Sequence, residues 1–188
     1  LGMDKLVVYE IDLTNGRLSE LPESGADSAP GVGPRHLDFH PNGKWAFAIN
    51  EIGNTVTVYD YDRSNGNLTE LQSISTLPDD FNGESHTADI HVHPNGKFIY
   101  GSNRGHHSLT IFQIDQSSGR LDLVGHQSTG GETPRNFLIH PNGSYIYAAN
   151  QDSNDIHQFK VNLSDGTLTP VGSPVYCPAP VCLKVLQI

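Results

Sequence analysis

The chain has 188 residues, 36% of them hydrophobic and 17% charged, which bounds it as a globular protein able to build one sizeable core. Its formal net charge of −10 argues against the clustered cationic surface that holds nucleic acid or anionic membranes. No stretch approaches the roughly 18 apolar residues of a membrane-spanning helix, no charged-then-apolar leader is visible, and the cytoplasm is the expected compartment.

In chain order, residues 6–11 alternate apolar and polar positions, and Asn15-Gly16 then turns the chain into a second run at 18–21. A loop rich in Gly, Pro, Asp and Ser follows to residue 33. Leu37-Asp38-Phe39 then leads into His40-Pro41-Asn42-Gly43, where Pro fixes φ and Asn-Gly tolerates positive φ, as a tight turn between antiparallel strands requires. The strand after it, Trp45-Ala46-Phe47-Ala48-Ile49-Asn50, is followed by further strands at 56–61 and 68–74 around an Asn65-Gly66 turn. The whole pattern recurs. His93-Pro94-Asn95-Gly96 and His140-Pro141-Asn142-Gly143 repeat the turn at intervals of 53 and 47 residues, and the second strand ends on Asn in each copy: Asn50, Asn103 and Asn150.

Four strands per unit, a period near 50 and no helical periodicity predict an all-β propeller of four-stranded antiparallel blades. The expected layout is a half blade over 1–22, full blades over 34–77, 86–127 and 134–173, and a closing strand over 180–188. That is fewer than the roughly four blades of the smallest propellers. The expectation is therefore a partial ring whose missing N-terminal half is the partner that closes it. Cys177 and Cys182 are too few for a disulfide framework or a four-cysteine zinc site and are read as buried free thiols.

Chemistry should sit where the repeat symmetry breaks. His40, His93 and His140 fill one slot in every unit and are read as parts of the hairpins. The slot after the second-strand Asn holds Glu51, Arg104 and Gln151 in turn. The start of the first strand holds Arg35, Ala88, Arg135 and Val181, and the next slot holds His36, Asp89, Asn136 and Cys182. Polar slots that differ between blades, near the propeller axis, are expected to line the channel. Spacing alone leaves a second reading open, in which the charged ones form inter-blade ion pairs. His86 and the pair His91 and His93 add imidazoles nearby. They are read without a metal, and no cofactor is expected.

Gly33-Pro34-Arg35-His36, Asn50-Glu51, Ser102-Asn103-Arg104-Gly105, Gly131-Glu132-Thr133-Pro134-Arg135 and Pro180-Val181-Cys182 together resemble the lactonase seven-bladed propellers, which include bacterial 6-phosphogluconolactonase and the fungal carboxymuconate-cyclising enzyme. The resemblance runs along essentially the whole chain, although the family's upstream histidine motif has no counterpart here. It implies a C-terminal half-ring and hydrolysis of a small anionic lactone, with 6-phosphogluconolactone as the expected substrate. Positions matching Arg35, Glu51 and Arg104 belong to the implied active site, with His36 as an adjacent catalytic candidate and Arg135, His86 and Gln151 as substrate contacts. Guanidinium groups grip carboxylate or phosphate bidentately and stabilise an oxyanion, while Glu51 or a histidine takes the proton from water. Lactone formation by carboxymuconate cyclisation, and a non-catalytic binding propeller, are the alternative expectations.

Overall fold

The computed structural model describes residues 1–186, and every regular element in that span is a β-strand. Among the described residues no helix is long and apolar enough to cross a membrane. Four short strands open the chain: β1 (Lys5–Leu6), β2 (Tyr9–Asp12), β3 (Arg17–Glu20) and β4 (Ala26–Asp27). Three four-stranded antiparallel sheets follow. The first holds β5 (Pro34–Phe39), β6 (Trp45–Asn50), β7 (Thr55–Asp62) and β8 (Asn67–Ser75). The second holds β9 (His86–Val92), β10 (Phe98–Arg104), β11 (Ser108–Ile114) and β12 (Leu121–Ser128). The third holds β13 (Pro134–Ile139), β14 (Tyr145–Asn150), β15 (Asp155–Val161) and β16 (Leu168–Tyr176). Sequence neighbours pair in space throughout these three, which are consecutive blades of a propeller.

The core lies between the blades, and the period-2 alternation of the second strands explains why. Trp45, Phe47 and Ile49 point from β6 toward the second blade and pack with Ile90, Ile99, Phe112 and Ile114. Ala46 and Ala48 point the other way and meet Tyr59, Leu6, Leu37 and Leu68. Phe98 and Tyr100 of β10 repeat the first arrangement against Phe137, Ile146, Ala148 and Phe159 of the third blade. A strand sandwiched between two blades is buried on both faces, so every residue of β6 is buried. The first strands β5, β9 and β13 pack side by side, with β9 between the other two.

The repeated turn latches blade to blade. Gly43, Gly96 and Gly143 all have φ between 71° and 74°, the left-handed region that Gly enters freely. In each turn the backbone N–H of the Asn donates to its own His Nδ1. That leaves the proton on Nε2, which in His40 donates to Gly96 O and in His93 to Gly143 O, both at 2.8 Å. Each latch spans two blades. Nε2 of His140, at the last blade, has no partner among the described residues. The glycine matters twice over, because a Cβ at Gly96 would lie 2.9 Å from His40 Nε2 and one at Gly143 would lie 2.7 Å from His93 Nε2.

The opening half unit departs from the reading of one continuous strand over 6–11. The segment splits: β1 pairs with β4, and β2 pairs with β3. With no inner strands to pair against, the β2–β3 hairpin is exposed at all eight positions, and the expected loop after it supplies β4. The closing strand expected over 180–188 falls partly outside the described residues, at 187 and 188. Over 180–186 the chain joins no sheet and is tied to the third blade by a hydrogen bond from Leu183 N to Asn136 Oδ1 at 2.7 Å. The reading of buried thiols is corrected as well. Cys177 is half-buried and Cys182 exposed, because both lie beyond the end of β16, outside any sheet.

Candidate active site

Register places the asymmetric side chains. In β5, Pro34 pairs with Asn50 and His36 with Ile49, so Arg35 is an extra residue on a bulge. Arg135 occupies the same bulge in β13, between Pro134 opposite Asn150 and Asn136 opposite Ala149. In β9, Ala88 and Asp89 face a single residue, Ser102, whose Oγ accepts the Asp89 N–H that the ladder leaves over. A bulge re-aims the side chain it carries, and bulges concentrate beside functional sites for that reason. Arg104 ends β10, and Gly105 behind it is a structural requirement: φ is 103°, and a Cβ there would lie 2.2 Å from Glu84 O.

Three of the expected residues meet around one carboxylate. Arg35 Nε lies 3.0 Å from Glu51 Oε2, and Arg104 Nη2 donates to Glu51 Oε1 at 2.6 Å. The three side chains are only 15%, 14% and 21% exposed, respectively for Arg35, Arg104 and Glu51. Backbone carbonyls hold the arginines from behind: Ala88 O for Arg35, and Thr87 O and His86 O for Arg104. Burial pushes the Arg35 guanidinium below its ordinary value, and the charges of Arg104 and Arg135 push the same way, against Glu51. Burial alone would raise Glu51, but the Arg104 hydrogen bond and the charges of Arg104, Arg35 and His86 outweigh it and hold the carboxyl below its usual range. Arg135 is half-buried, forms no ion pair among the described residues, and is close enough for its charge to be felt at Arg35. Three guanidinium groups face two carboxylates, Glu51 and the nearby Asp89 whose charge also acts on Arg35, in an otherwise acidic protein.

A second cluster adjoins the first. His36 Nδ1 sits 2.7 Å from Asp89 Oδ1, and Asp89 is 2% exposed. His91 Nε2 approaches the other oxygen of Asp89 at 3.2 Å, joined there by Asn136 Nδ2 and by Phe137 N–H at 3.2 Å. Burial would raise the Asp89 carboxyl, yet the hydrogen bonds from His36 and His91 drive it far below the carboxylate range. Arg35 Nη1 lies 3.1 Å from one ring nitrogen of His36 and 3.5 Å from the other, which is contact against the ring rather than a hydrogen bond along either lone pair. Arg35, His36, Asp89, His91, Asn136 and Cys182 are among the residues that line a cavity of about 480 Å³ between the first strands.

Not every candidate joins. His86 is exposed and reaches the cluster through its backbone carbonyl and its charge. Gln151 makes no side-chain hydrogen bond to the others among the described residues, and its buried Oε1 has no partner. Asp89 stands in a channel slot of the sequence to which no role is assigned. The available signal was an acid standing between His36 and Asn136 in equivalent slots of adjacent blades.

Comparisons with known proteins place the chain in a family. The family model described as Lactonase, 7-bladed beta-propeller matches residues 1–185. The chain belongs to that family. Along its full length it is 41% identical to a 6-phosphogluconolactonase of Bacillus subtilis, of which it covers 52%. A solved protein from Lactobacillus plantarum superposes over 98% of the chain with a TM-score of 0.93 at 33% identity, and 53% of that protein is covered. The periplasmic gluconolactonase of Pseudomonas aeruginosa gives a TM-score of 0.90 at 30% identity, covering 98% of this chain and 51% of its own. The chain spans about half the length of the relatives it matches, so the family's ring is represented here by three full blades and the opening hairpins.

Proposed function

We propose that this chain contributes the catalytic groups of a lactonase that hydrolyses a small anionic sugar lactone, with 6-phosphogluconolactone as the substrate. The observation that carries the reading is the Arg35–Glu51–Arg104 cluster beside the channel cavity, with Arg135 unneutralised next to it. Water adds to the lactone carbonyl carbon, and the oxygen that takes the negative charge is stabilised by a guanidinium already held in place by Glu51. The ring oxygen then leaves with a proton, giving the hydroxy acid. Arg135 supplies a cation for the substrate's own anionic group, where a bidentate grip suits phosphate.

Glu51 is a poor proton acceptor in this arrangement. Both of its oxygens are occupied by guanidinium groups, and its carboxyl is held below the usual range. Its role is to fix the two arginines. The proton acceptor is His36, whose side chain is 44% exposed and lines the cavity. The activity belongs to the closed ring, so the assay uses the full-length gene product, with acid release corrected for spontaneous lactone opening. Arg104→Ala removes a charge-assisted contact worth roughly 1.5–3 kcal/mol, or about ten- to a hundredfold in kcat/KM where the contact tightens in the transition state. Glu51→Gln, which frees both guanidinium groups, lowers kcat/KM as well. Unchanged kcat/KM in both variants returns the cluster to inter-blade ion pairing.

A further inference from the structure

We infer that Asp89 is a positioning residue that holds the His36 imidazole in one tautomer and one orientation for proton transfer. The inference rests on the hydrolase reading above and adds a residue to it. An ionised carboxylate only accepts, so the 2.7 Å contact from His36 Nδ1 to Asp89 Oδ1 requires the proton on Nδ1. The lone pair then lies on Nε2. Arg35 Nη1 rests against the ring and does not cap that lone pair in line. Nδ1 faces the buried carboxylate, while the His36 side chain is 44% exposed and lines the cavity, which leaves Nε2 as the nitrogen available to a substrate there.

Asp89 is itself over-determined. Its Oδ1 also accepts Ile90 N–H at 3.1 Å, while its Oδ2 accepts from His91, Asn136 and Phe137. The donors come from β9 and β13, and His36 comes from β5, so one carboxylate ties together the inner strands of three blades. Asn136 can present its NH₂ to Asp89 because its carbonyl is engaged by Leu183 N–H on the other side. A carboxylate fixed on every side cannot swing away from the imidazole, and this is what orientation of a proton acceptor requires.

A buried acid with five donors could equally be an anchor for three strands and nothing more, and the experiment separates the two. In the full-length protein with ¹⁵N-labelled histidine, His36 is expected as the Nδ1–H tautomer when neutral; finding Nε2–H overturns the inference even where no variant folds. His36→Gln lowers kcat by roughly 10²–10⁴-fold. Asp89→Asn lowers kcat about ten- to a hundredfold, the scale of one charge-assisted hydrogen bond, with KM little changed. In the His36→Gln background, Asp89→Asn costs nothing further in kcat. An equal loss in both backgrounds assigns Asp89 to strand anchoring and overturns the inference, as does a folded Asp89→Asn enzyme at full rate. Full activity of His36→Gln overturns the proton-acceptor reading together with this one. A wild type without lactone hydrolysis overturns the function, and the tautomer measurement then decides the placement of His36 by itself.

Discussion

The turn histidines and the inner-strand histidines of this protein are chemically the same group used in opposite ways. His40 and His93 are 5% and 2% exposed, bonded at both nitrogens, and repeated in register with the blades. His36 and His91 occur once each, are about two-fifths exposed, and share the buried Asp89. In the first pair both nitrogens are consumed by backbone groups, so the imidazole is a cross-link. In the second pair one face stays open to the cavity. Recurrence marks a part of the scaffold; a break in recurrence marks chemistry. The substitutions that follow bear on that contrast.

The largest effect on the fold is expected at His93→Ala. It removes two hydrogen bonds and leaves the Gly143 carbonyl without its donor, a loss of about 2–4 kcal/mol in unfolding free energy. Below the melting transition the variant should keep the wild-type kcat, whereas His36→Gln should lose kcat with a smaller loss of stability, about 1–2 kcal/mol, because Asp89 gives up one of its five donors and keeps the other four. Chemical denaturation together with lactone hydrolysis measures both quantities on each protein. A His93→Ala enzyme that is stable but inactive would erase the contrast.

A smaller effect isolates the latch from the turn. Gly96→Ala and Gly31→Ala both place a Cβ at positive φ, which costs roughly 1–2 kcal/mol. Only at Gly96 does the new Cβ meet His40 Nε2; at Gly31 nothing lies within 4 Å. The excess loss at Gly96, about 1 kcal/mol for the displaced hydrogen bond, is the contribution of the latch. Equal losses at the two glycines would mean that the turn alone accounts for both.

Most of the architecture was legible because strands and turns write short-range signals. The three Pro-Asn-Gly turns and the alternation of Trp45, Phe47 and Ile49 with Ala46 and Ala48 fix strand order and the face each side chain takes. Arg35, Glu51 and Arg104 were legible as departures from that regularity. What stayed hidden depends on register. A bulge is one residue too many opposite a partner strand, and no single strand shows it, so the aim of Arg35 and Arg135 could not be read in advance. Asp89 was hidden for a related reason, since its five donors arrive from segments up to 53 residues away in sequence. Residues 6–11 read as one strand because alternation reports an extended chain and not the partner it pairs with, and β1 and β2 take different partners.

The smallest expected effect is a pH dependence of stability at His91. Burial would lower the His91 pKa, but the hydrogen bond to Asp89 and the charges of Asp89 and Asp38 outweigh it, and the group titrates above the ordinary histidine value of about 6.5. A raised folded-state value means that protonated His91 stabilises the fold. That contribution is fully present below about pH 6.5 and is lost as pH rises through the folded-state value. Asp89 works at the other end: its depressed carboxyl contributes above about pH 4, and the contribution is lost as the acid side is entered. Lys184 opposes the charge on His91, and Arg35 and His36 face the same carboxylate, so the slope belongs to the cluster and not to one group. With its side chain 38% exposed, His91 is partly screened by water, which keeps the effect small. The difference in melting temperature between wild type and His91→Gln should therefore shrink between about pH 6 and 8.5, over which a histidine with a raised value discharges. A difference that stays constant across that range would mean that His91 contributes to stability by packing and not by its charge.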